Sequence, residues 1–127
     1  MADALNYVIS LLDSGVAGMQ AGDPKTTIYT VPPGKKAVII LAVVRNPTAS
    51  LADGIDFDFG DGANADTWVN TVDLSSMTAA TDSFPISGLG AKYAILDAGD
   101  EWGVKPVTGA TADTDAIIDV FGYEFAA

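Results

Sequence analysis

The run Ala37-Val38-Ile39-Ile40-Leu41-Ala42-Val43-Val44 constrains this chain more than any other segment. Eight consecutive apolar residues are far short of the ~20 that cross a bilayer as a helix. Five of them (Val38, Ile39, Ile40, Val43 and Val44) are β-branched, and branching at Cβ restricts χ1 and suits a pleated surface. The run therefore predicts a strand over residues 36–45, covered on both faces because no position in it is polar. It is bounded by Pro32-Pro33-Gly34 before it and Asn46-Pro47 after it, both strong turn signals.

The rest of the chain repeats this grammar. Residues 26–31 read as a strand. Ile55, Phe57 and Phe59 alternate with Asp56 and Asp58, the pattern of a half-buried strand with its acids facing water. Residues 67–74 follow, with Trp68, Val72 and Leu74 on one face, then 93–96, 101–107 and 116–125. In the last of these both faces are apolar, Ile117, Phe121, Tyr123 and Phe125 alternating with Ile118 and Val120. Residues 75–91 read as a loop whose only weighty apolar group is Phe84-Pro85-Ile86. Seven or eight short strands joined by Gly, Pro, Asn and Asp turns predict an all-β fold: a single antiparallel β-sandwich, jelly-roll-like, over residues 25–127.

Residues 1–24 form an N-terminal arm in this reading. Leu5, Val8, Ile9 and Leu12 have helical spacing, with Gly15 as a stop, although residues 6–12 fit a buried strand equally well. Residues 13–24 read as a loop or extended arm. No Lys or Arg precedes residue 25, so a basic signal-peptide n-region is not expected, and a cytoplasmic origin is the simplest inference.

Composition narrows the function. The 127 residues contain no Cys and no His, which removes disulfides, thiolate chemistry, the commonest general base and the commonest metal ligand. A formal charge of −11 from 17 acidic and 6 basic side chains opposes binding to nucleic acid or to an anionic membrane. No enzymatic role and no cofactor are expected. The loops 46–54, 75–91 and 108–115 carry small residues that suit close backbone packing, so an assembling subunit and a plain monomer both fit.

Candidate sites are few. Asp56, Asp58 and Asp61, with Asp53 and Asp66 nearby, are weak candidates for a hard cation such as Ca²⁺. EF-hand spacing fails, because the twelfth position counted from Asp56 is Thr67, where a bidentate Glu should sit; turn and surface acids explain them as well. With Trp68 they also sketch a calcium- or carbohydrate-binding module. Asp97, Asp100 and Glu101 beside Trp102 could supply paired carboxylates for glycoside chemistry, yet Asp97-Ala98-Gly99-Asp100 reads more simply as a turn. Gly88-Leu89-Gly90 and Gly60-Asp61-Gly62 lack the Lys-Ser/Thr of a phosphate loop. Glu124, between aromatics, is expected to pair with a neighbour such as Arg45 or Lys105.

Three motifs together resemble small virion proteins of tailed bacteriophages. Thr27-Ile28-Tyr29-Thr30-Val31-Pro32-Pro33-Gly34-Lys35-Lys36-Ala37-Val38-Ile39 is similar to that family's "YTVPAGK-x-A" opening, with Pro33 in place of its Ala. Val43-Val44-Arg45-Asn46-Pro47-Thr48 resembles its "V-x-N-x-(S/T)" strand exit. Ile95-Leu96-Asp97-Ala98-Gly99-Asp100-Glu101-Trp102 and the terminal Val120-Phe121-Gly122-Tyr123-Glu124 are similar to "L-x-x-GD" followed by "GxE". The match spans about residues 26–125 and leaves 1–24 without a counterpart. The resemblance implies a non-enzymatic β-sandwich of the virion. Its expected role is a capsid decoration (cement) protein, trimeric and bound to the major capsid protein or other virion proteins; the alternative is a neck, tail or fibre subunit.

Overall fold

The structure, a computed structural model, describes residues 8–88 and 95–127. Those residues form eight strands: β1 (Ser10–Gly18), β2 (Thr26–Thr30), β3 (Lys35–Arg45), β4 (Asp56–Gly60), β5 (Val69–Val72), β6 (Ser83–Ser87), β7 (Glu101–Thr108) and β8 (Asp115–Ala126). They make two four-stranded sheets, ordered β1-β8-β3-β6 and β2-β7-β4-β5, and every strand pairing is antiparallel. The pairs β1–β8, β2–β7, β3–β6 and β4–β5 are those of one long hairpin rolled so that successive pairs fall in opposite sheets. This is the jelly-roll wrapping, and the expected β-sandwich is the fold the chain adopts.

Local chemistry explains the corners. Pro33 and Gly34 occupy the centre of a turn closed by the Lys35 N–H on the Pro32 carbonyl at 3.2 Å. Gly34 takes φ 75°, the left-handed value that the third residue of a type II turn requires. At Gly122 the constraint is space. β3 bulges between Ile39 and Leu41 opposite it, and a Cβ there would overlap the Val38 carbonyl oxygen.

Several expectations change. No helix forms at Leu12: residues 10–18 are β1, paired along β8, so part of the expected arm is a strand of the sandwich. Leu5 and Tyr93 lie outside the described residues, and of 93–96 the sheet-like remnant is Leu96, in an isolated bridge with Ala37. Phe84-Pro85-Ile86, expected in a loop, is the centre of β6 and pairs with β3. Ile55 precedes β4 and is exposed, whereas Phe57 and Phe59 are fully buried. β3 is buried on its inner face and only partly covered outside, at Leu41 and Val43.

The core is built around Trp102, Phe57 and Phe59, with Trp68 edge-on to Trp102 at 5.3 Å. Loop residues complete it. Leu51, Leu74 and Met77 are buried and held together by backbone bonds, Leu51 N–H to the Met77 carbonyl at 2.9 Å and Leu74 N–H to Gly54 at 3.0 Å. The small-residue loops thus surround apolar plugs that close one end of the sandwich.

Candidate assembly surface

The first sequence motif and the two segments of the third meet at the opposite end, while the second, Val43 to Thr48, lies at the far end of β3, where Asn46 and Thr48 bond to Asp82 and Asp115. Tyr29 donates its hydroxyl to Glu124 Oε2 at 2.7 Å. Val31 exchanges backbone bonds with the Gly99–Asp100 turn, at 2.9 and 3.0 Å, and Ala37 does so with Leu96, at 3.0 and 2.8 Å. Lys36 Nζ reaches Asp97 at 2.5 Å. Burial, then the Glu124 hydrogen bond and charge, push the Tyr29 hydroxyl well above the ordinary tyrosine range. Glu124 therefore pairs with Tyr29, not with Arg45 or Lys105 as expected: the alternation of β8 puts it on the inward side with Ile118 and Val120, while Arg45 is engaged by Asp119.

The weak cation candidates are placed apart in role. Asp58 Oδ1 accepts the Thr71 N–H at 2.9 Å. Asp61 accepts from the Thr67 hydroxyl across its turn. Asp56 is half-buried with Oδ1 shielded and unpartnered, and burial followed by the Asp58 charge raises its carboxyl above the ordinary value. Asp53 takes the Thr111 hydroxyl, which lowers its carboxyl. Among the described residues, no three Asp or Glu side chains gather closely enough to hold a metal ion.

The glycosidase-like set dissolves similarly. Asp97 is bound to Lys36, and Asp100 Oδ2 caps the Asp97 N–H at 2.8 Å, closing the expected turn. Trp102 is buried and offers no sugar platform. Trp68 is equally committed, donating its indole N–H to the Ile39 carbonyl at 3.1 Å.

What the fold does present is a contrast between its two outer faces. On the β2-β7-β4-β5 sheet, Asp56, Asp58, Glu101 and Lys105 stand outward, with Asp58 opposite Lys105 in register. On the β1-β8-β3-β6 sheet, alternation from the buried Ala42, Val44, Ile118 and Val120 puts Leu41, Val43, Ile117 and Phe121 outward, flanked by the exposed Leu11 and Val16 of β1. One polar device crosses this apolar face. Arg45 of β3 donates to Asp119 of β8 at 2.8 and 3.4 Å, and Ser14 of β1 donates to the same carboxylate at 2.6 Å. Burial works to raise the Asp119 carboxyl, but the Arg45 and Ser14 hydrogen bonds and the Arg45 charge hold it below its ordinary value. The charges on this face cancel, so an acidic chain keeps one sheet face neutral and apolar. Sequence reading missed it because the alternation in β8 is apolar on both sides.

No family model and no curated protein matches the chain. A chain of the solved "Cyanophage Pam1 capsid asymmetric unit" superposes with a TM-score of 0.56 at 15% identity, over 93% of this chain and 84% of that one. The likeness is one of fold, and it spans nearly the whole jelly roll.

Proposed function

We propose that this chain is a non-enzymatic structural protein of a tailed-bacteriophage particle, and within it a decoration subunit bound to the major capsid protein. The observation that carries the reading is the shared jelly-roll fold with a chain of a cyanophage capsid over 93% of the length. The motif resemblance and the asymmetry of the two faces support it. A neutral, apolar sheet face is suited to burial against a lattice. The acidic face then points to solvent, where a net charge of −11 per subunit keeps particles apart. The trimer that the resemblance implies belongs to the same reading.

Particles made without this protein test the proposal. They should release their DNA at a lower temperature than complete particles, and added purified protein should restore the difference. An unchanged release temperature, with no binding of the added protein, would overturn it.

A further inference from the structure

Four strands lie at sheet edges: β1, β6, β2 and β5. An edge strand presents unpaired N–H and C=O groups, and proteins blunt such edges with Pro, Lys, bulges or short length. Three of the four are blunted. β6 has five residues and contains Pro85; β2 has five and is bulged between Thr27 and Tyr29; β5 has four, with Thr71 at a φ of 56°. β1 is different. It is bulged between Leu11 and Asp13 but runs for nine residues without Pro, Lys or Arg, with residues 13–18 in regular register, and among the described residues no strand lies on its second edge. Leu11 and Val16 are 54% and 63% exposed, and Val8 and Ile9 just before them 73% and 55%.

We propose that the open edge of β1 accepts an extended strand from a different, basic polypeptide by β-augmentation. Charge selects the occupant. Residues 8–24 contain Asp13 and Asp23 and no basic side chain, and Asp115 begins the neighbouring β8. A second copy would bring the same acids and another −11 of charge, which opposes pairing of two copies at this edge.

An incoming strand that alternates apolar with Lys or Arg fits both sides of β1. Its apolar side chains continue the Leu11 and Val16 face. Its basic side chains fall on the side of Asp13, which by register shares its face with Gly15 and Ala17. The inference rests on the edge alone and holds whatever particle the protein belongs to.

The probe is a synthetic Lys-Val-Lys-Val-Lys-Val-Lys peptide, with a Glu-for-Lys version and a version N-methylated at alternate amides. Amide NMR on the intact protein should localise binding of the Lys peptide to residues 10–18 and slow exchange of β1 amides at least tenfold. Binding should weaken as salt rises from about 0.05 to about 0.3 M, and both other peptides should bind at least tenfold more weakly. V16K, which places a gatekeeping charge on the strand, should lose binding with an otherwise native spectrum. Should V16K fail to fold, the N-methylated peptide still decides. Perturbations centred on the acidic β4 face would overturn the proposal. So would equal binding of the N-methylated or acidic peptide, or self-association of the protein through β1.

Discussion

The Tyr29 hydroxyl donates a 2.7 Å hydrogen bond to Glu124 Oε2 and so ties β2 of one sheet to β8 of the other. The two residues are 95 positions apart, and each belongs to one of the motifs that carry the resemblance to phage virion proteins. These two motifs therefore describe how the jelly roll closes at one end. Tyr29→Phe leaves the half-buried Glu124 carboxylate without this donor. The expected loss is about 1.5–3 kcal/mol, the range for hydrogen bonds to a charged group, or roughly 5–12 °C in Tm for a chain of this size. A double-mutant cycle with Glu124→Ala should recover most of that as coupling.

The same pair gives a pH dependence. The folded-state pKa of Tyr29 is raised, so its contribution is complete below the unfolded tyrosine value of about 10. It is lost as pH rises beyond that, because the unfolded chain ionises first. Chemical denaturation between pH 8 and 11 should show stability falling above about pH 10, with a shallower fall in Tyr29→Phe.

Asp119 behaves in the opposite sense. Its folded-state value is lowered, so its contribution is present above the unfolded value of about 3.9 and disappears as pH falls through the lower folded one. Asp119→Asn should reduce Tm by several degrees at neutral pH and flatten the acid limb of the stability curve. Arg45→Met, which keeps the stem and removes the charge, should do the same. An unchanged acid limb in both would show that the Ser14–Asp119–Arg45 link across the outer face contributes nothing.

Gly122→Ala should be among the most damaging small substitutions in the chain. The added Cβ meets the Val38 backbone carbonyl, which cannot swing aside as a side chain can. Relief requires the β3–β8 ladder to shift at its bulge, so a loss of more than about 2 kcal/mol is expected. Gly34→Ala fails for a different reason, its φ of 75°, and should cost about 1 kcal/mol. Thermal denaturation of the two variants checks the order.

Asp58 and Asp61 act as anchors for the Thr71 N–H and the Thr67 hydroxyl. Asp58→Ala should lower Tm by a few degrees, and millimolar Ca²⁺ should leave the wild-type Tm within about 1 °C. A saturable upward shift with Ca²⁺ would instead reveal binding to the folded state.

Much of the fold was legible because strand periodicity and turn chemistry agreed. Pro32-Pro33-Gly34 and Asp97-Ala98-Gly99-Asp100 turn where their residues predict, and Phe57 and Phe59 point inward while Asp56 and Asp58 point outward. β6 escaped because Ser83, Pro85 and Ser87 break its apolar pattern, and its place is fixed only by pairing with β3. β1 was ambiguous because a short run such as Val8-Ile9-Ser10-Leu11-Leu12 satisfies both helical and extended spacing. The outer face was harder still. Ile117 and Ile118 look alike in sequence, and only the sheet order decides which one is buried. Glu124 found Tyr29 through a contact between sheets that no local pattern encodes.

Copy number in purified particles tests the central claim most directly. On the proposed reading, quantitative mass spectrometry of purified phage particles, normalised to the major capsid protein, should find this chain in a fixed ratio amounting to hundreds of copies per particle. A handful of copies would move the subunit to the neck, tail or a fibre, and its absence from the particle would contradict the account.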